Sequence, residues 1–101
     1  MRISFRQSGG VAGRVRACEI ETEGMQADAG RALECMVRES GIMEGIASRA
    51  SRGRDLQRYE IEVEMGRERF SARFDDLAVP PALAPLLDYL NARARPTPPA
   101  A

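Results

Sequence analysis

The chain has 101 residues, 44% of them hydrophobic, with 15 basic and 15 acidic side chains. That is enough for one small domain with a single core and too little for multidomain machinery. With no histidine it has no imidazole to serve as general base, triad member or metal ligand, and its zero formal net charge argues against coating nucleic acid by bulk electrostatics.

Every basic residue is arginine. The two cysteines, Cys18 and Cys35, form no CxxC pair and no disulfide framework, so they read as small buried apolar side chains in a reducing compartment. The opening MRISFRQSGG holds no apolar run of signal-peptide length, and no window approaches the ~20 apolar residues that cross a bilayer. The chain therefore reads as soluble and cytoplasmic, with no membrane partner.

Residues 2 to 7 alternate, Ile3 and Phe5 against Arg2, Ser4 and Arg6, which predicts a half-buried strand ending at Ser8-Gly9-Gly10. After Gly13 the segment RVRACEIET alternates again, with Val15 and Ala17 in one phase and Cys18 and Ile20 in the other, which predicts a bulge near Ala17. The two strands form a hairpin whose connection, Ser8-Gly9-Gly10-Val11-Ala12-Gly13, is longer and richer in glycine than a minimal turn. From Asp28 to Ser40, Ala29, Ala32, Leu33, Met36 and Val37 carry helical spacing, and Gly41 supplies a C-terminal cap. Ile42, Met43 and Ile46 can pack back under that helix, and the stretch that follows reads as an exposed loop.

Tyr59, Ile61, Val63 and Met65 alternate with three glutamates, and Phe70, Ala72 and Phe74 alternate with Arg69, Ser71 and Arg73. A two-residue turn at Gly66-Arg67 sets Glu64 opposite Arg69 and Glu60 opposite Arg73 while pairing Val63 with Phe70 and Tyr59 with Phe74. A one-residue slip would lose both faces. Pro80 and Pro81 introduce a second helix with Leu83, Leu86, Leu87 and Leu90 on one face, and the chain from Pro96 reads as a disordered Pro/Ala tail after a single domain over 1–95. The expected class is α+β, in the order β-β-α-β-β-α, an antiparallel sheet with both helices on one face.

Taken together, RISFRQSGGVAGRVRACEIET, the helix ending at Gly41, the RYEIEV strand and the closing VPPALAPLLDYLNARAR resemble the emfourin family of proteinaceous inhibitors, whose members are similar to the inhibitor of protealysin, a thermolysin-like zinc metalloprotease. The most specific element is the strand followed by Ser8-Gly9-Gly10-Val11-Ala12-Gly13. The sequence departs from the family in an arginine-rich loop from Ala47 to Asp55. The resemblance implies a reversible inhibitor that blocks the active-site cleft of a thermolysin-like metalloprotease, bringing no metal, cofactor or catalytic residue of its own.

The candidate contact residues are therefore Ser8, Gly9, Gly10, Val11, Ala12 and Gly13, followed by Arg49, Arg52 and Arg54 of the basic loop. Glycine permits close backbone approach and unusual φ angles, although a flexible hairpin connection is the plain reading of the first set. The arginines can meet an acidic surface or simply solvate a loop. Nucleic acid is not expected, because Tyr59, Phe70 and Phe74 fall on the core-facing side and cannot stack bases. Glu60, Glu62 and Glu64 are explained by their arginines across the hairpin, and nothing selects Glu44, Asp55, Asp75 or Asp76 as a carboxylate for a partner's zinc. A monomer or weak dimer is expected, and the competing class is a non-inhibitory interaction module, a homodimer or adaptor that pairs an exposed sheet edge.

Overall fold

The computed structural model describes residues 1–9, 15–45 and 57–97. Its strands are β1 (Arg2–Gly9), β2 (Arg16–Glu21), β3 (Gln57–Met65), β4 (Glu68–Asp75) and the two-residue β5 (Arg95–Pro96). Helix α1 (Ala27–Ser40) lies between β2 and β3, and α2 (Ala84–Arg93) follows β4. All pairings are antiparallel in the order β4-β3-β1-β2-β5, so the first strand of the chain is the middle of the sheet. The expected order β-β-α-β-β-α holds, and β5 is added at its end.

The alternation along each strand sorts the sheet into two faces. Ile3 and Phe5 of β1, Ile61 and Val63 of β3, and Ala72 and Phe74 of β4 point to one side and are buried. Leu33 and Val37 of α1 and Leu86, Leu87 and Leu90 of α2 cover them from that side, joined by Ile42 and Leu83. Each fully buried large side chain of this layer contributes roughly 1.5–3 kcal/mol relative to exposure. Phe5, Tyr59 and Phe74 form a row across β1, β3 and β4, with ring centroids 6.2 and 5.6 Å apart.

The opposite face carries stripes of charge. Arg2 and Arg6 on β1 and Arg69 and Arg73 on β4 flank Glu60, Glu62 and Glu64 on β3, in the register expected for the β3–β4 hairpin. Arg69 pairs with Glu62 at 3.1 Å and Glu64 at 2.8 Å, Arg73 with Glu60 at 3.5 Å, and Arg2 with Glu19 of β2. These exposed pairs keep the face wet and set the register while contributing little stability.

Several expectations are corrected. No bulge interrupts β2: the pairs run unbroken from Arg2–Glu21 to Gln7–Arg16. Cys18 and Ile20 share the core face with Arg16, and Ala17, small enough for either side, lies on the charged face opposite Arg6. Ala32 is exposed because α1 buries the narrower stripe of Gly30, Leu33, Val37 and Ser40. Cys35 is exposed and Cys18 half-buried, so neither is the fully buried thiol expected. Arg95 and Pro96, placed at the edge of a disordered tail, pair with Ala17 and Arg16. Ile42 is buried beneath α1 as expected, with Met43 packed beside it, while Ile46 lies outside the described residues. Among the described residues no helix is long and apolar enough to cross a membrane.

Candidate functional site

One end of the sheet gathers both flanks of the first candidate contact segment and the C-terminal flank of the second. β1 runs two residues further than the alternation predicts, so that Ser8 pairs with Arg58 and Gly9 with Gln57 at the start of β3. Gly9 has φ 95°, a left-handed conformation that a side chain at this position would strain. Gly10, Val11, Ala12 and Gly13 lie outside the described residues, as do Arg49, Arg52 and Arg54. What is placed is where their segments leave and re-enter the sheet: the first spans Gly9 to Val15, and the second re-enters at Gln57, directly beside Gly9.

The returning end of each segment is held. The Val15 carbonyl accepts hydrogen bonds from the Thr97 amide at 2.9 Å and the Thr97 hydroxyl at 3.3 Å. Asp76, just past β4, accepts the Gln57 amide through Oδ2 at 3.2 Å and the Tyr59 hydroxyl through Oδ1, while its own amide donates to the Gln57 carbonyl at 3.1 Å. Burial, then the hydrogen bond to Asp76 and that carboxylate's negative charge, push the Tyr59 phenol up to about 12.

Behind these anchors the apolar layer ends in a polar cluster. Gln7 takes the core-facing phase of β1 after Ile3 and Phe5 and is 8% exposed. Its side-chain amide donates to Gln57 Oε1 at 2.6 Å, and its Oε1 accepts from Arg16 Nη1 at 3.2 Å. Arg16 also donates to the Asn91 side chain at 3.1 Å and to the backbone carbonyls of Asn91 and Ala94 at 3.2 and 2.8 Å. Both carbonyls stand at the C-terminal end of α2, where that of Asn91 also accepts the Ala94 amide at 3.4 Å and where the helix dipole favours a cation. Among the described residues no buried side-chain nitrogen or oxygen is left without a partner.

Sequence reasoning missed Gln7, Arg16, Gln57, Asn91 and Asp76, although the strand phase signalled the first three. A polar side chain in the inward phase of a strand is costly unless bonded, so three of them on adjacent strands mark a shared network. Asn91 and Asp76 leave no such signal, because their partners come from distant parts of the chain. Among the described residues no group of three or more acidic or cysteine side chains could hold a metal.

A model of the emfourin family matches residues 5–91. The chain belongs to the emfourin family. Emfourins are metalloprotease inhibitors, a role that asks for a rigid presenting scaffold and no acid–base group. The matched span contains both candidate segments and the polar cluster from Gln7 to Asn91, and it stops before β5. No curated protein and no solved structure gives a significant match.

Proposed function

We propose that the protein is a reversible inhibitor of a thermolysin-like zinc metalloprotease, of the protealysin kind, and that it blocks the active-site cleft with the sheet end that carries segments 10–14 and 46–56. The family supports inhibition of a metalloprotease. The observation that carries the rest is the pairing of Gly9 with Gln57, which brings the flanks of two segments far apart in sequence onto neighbouring strands. Both segments re-enter the sheet on a hydrogen-bonded scaffold, and a scaffold ordered before contact lowers the entropy lost on binding. Glycines at 9, 10 and 13 let the backbone approach a cleft wall closely. The arginines at 49, 52 and 54 give the second segment a positive surface, suited to an acidic rim.

The test is a titration of the purified chain into a thermolysin-like protease, following peptide cleavage. A stoichiometric loss of activity, with the chain left uncut, is expected. Gly10→Val should weaken inhibition with the fold retained, and unchanged potency would move the contact away from segment 10–14. Absence of inhibition at large excess of the parent chain would leave a non-inhibitory interaction module as the better reading.

A further inference from the structure

We propose that the charged face of the sheet is a self-complementary docking surface for a second copy of this chain, packed face to face about a two-fold axis that runs along the strands between β1 and β3. Both helices cover the opposite face, and the outward side chains fall into rows set by the strand register. One row reads Arg69, Glu64, Arg2, Glu21, alternating in sign from β4 through β3 and β1 to β2. Another reads Arg73, Glu60, Arg6, Ala17, with the same alternation until the neutral alanine. The row between them holds Ser71, Glu62, Ser4 and Glu19, so that each glutamate has a serine beside it. Every side chain in these rows is exposed or half-buried.

Such an axis reverses the strand order of the second copy, setting β1 over the partner's β3 and β4 over its β2. Arg2 then faces the partner's Glu64, Arg69 faces the partner's Glu21, and Arg6 faces the partner's Glu60, while the glutamates of the middle row face serines. In these three rows no like charges stand opposite one another, and Arg95, the β5 neighbour of Ala17, lies beyond the edge of the partner's β4. The other in-plane axis, across the strands, would lay β3 on β3, glutamate on glutamate, and repulsion excludes it. Arg6 brings an unmet charge to the arrangement: Glu60, beside it on β3, turns to Arg73 at 3.5 Å, and Arg6 forms no ion pair among the described residues. A hollow of about 170 Å³, lined by Ser4, Phe5, Arg6, Glu60 and Glu62, opens on the axis. At ~30 Å³ each, about five waters fit there. The surrounding charges keep part of their hydration when the faces meet, which lowers the desolvation cost that weighs against ion pairs. Four strands at about 4.8 Å spacing and about 3.3 Å per residue over the six residues of β2 give a face of about 400 Å² in projection. That is about half of what each partner gives to a standard interface, so the dimer is weak, and its charges make it salt-dependent.

The experiment is sedimentation equilibrium of the purified chain over a concentration series, at about 0.01 M and about 1 M salt, between which the screening length falls from about 30 Å to about 3 Å. The parent should dimerise at low salt, with a dissociation constant about tenfold higher, or more, at high salt. Arg6→Glu and Glu60→Arg each place like charges across the interface, and each should stay monomeric where the parent pairs. Mixed in equal amounts, the two variants should form a one-to-one heterodimer, identified by native mass spectrometry, because each reversal then meets its opposite. Arg6→Gln and Glu60→Gln serve if circular dichroism shows that a reversal fails to fold, and each should weaken association. A parent chain that stays monomeric at low salt overturns the proposal and leaves the face to solvent or to another partner. A dimer indifferent to salt or to Arg6→Glu overturns it too, in favour of pairing at the β4 edge. So does a mixture that stays monomeric, which would deny the register. None of these readouts uses a protease, so their outcome is independent of the inhibitor reading.

Discussion

Tyr59 shows how one side chain serves both layers of the structure. Its ring lies between Phe5 and Phe74 in the core row, and its hydroxyl reaches Asp76 at the sheet end. The phenol is pushed up to about 12, above the value near 10 of an unfolded tyrosine, so the native state holds the proton more tightly. The stability this contributes is fully present below about pH 10 and is lost as pH rises from about 10 through about 12. In a Tyr89→Phe variant, which leaves Tyr59 as the only tyrosine, alkaline absorbance titration should give a midpoint near 12; a midpoint near 10 would deny the half-buried ring and its bond to Asp76. Tyr59→Phe should remove this window from the pH dependence of the urea midpoint.

At the scale of elements, the N-terminal turn of α1 gives a prediction opposite to helix propensity. Gly30 is buried, and a Cβ built there would meet the backbone oxygen of Thr22 at 2.9 Å. Alanine is favoured over glycine by about 1 kcal/mol in a helix interior. Here the obstacle is main chain, held by the Thr22 amide bond to the Met1 carbonyl at 2.9 Å, and cannot rotate away. Gly30→Ala should therefore destabilise the fold, by about 1–3 kcal/mol, as measured by urea unfolding. A gain in stability would show that the turn yields.

The β3–β4 hairpin was legible in full, because turn, charges and apolar pairs all favour a single register. The helix faces were legible from leucine spacing, apart from Ala32. β2 was harder: its inward phase contains an arginine, and Arg16 is bonded to residues some 75 positions away that no local pattern reveals. β5 was invisible for a similar reason, since Arg95–Pro96 has no alternation to read and gains its strand character from β2 alone. For the candidate site, the glycine segment was legible as a motif, while the polar cluster from Gln7 to Asn91 was missed.

For the molecule as a whole, the residues after α2 matter to the candidate site as well as to the sheet. Cutting the chain after Ala94 removes β5 and both bonds from Thr97 to Val15, and leaves the apolar core intact. At roughly 0.5–1.5 kcal/mol net per hydrogen bond, the cut should lower stability by about 1–3 kcal/mol and release the returning end of segment 10–14. The truncated chain should fold, melt earlier and inhibit less well, by calorimetry and the same protease titration. An unchanged melting temperature would show that the pairing with β2 adds nothing.

The central place of β1 also has a consequence for synthesis. Of the five strands, the one at the centre of the finished sheet is the first to be made, and its partner β3 arrives only after the whole stretch from Gly9 to Gln57. At roughly 5–20 residues per second that wait is on the order of seconds. During it, β1 and β2 expose a bare hydrogen-bonding edge and an apolar face with Ile3 and Phe5 uncovered on the β3 side. A fragment comprising residues 1–45 should for this reason self-associate in solution, and its recovery as a monomer should depend on supplying a peptide that spans residues 57–75 to occupy the vacant side of β1.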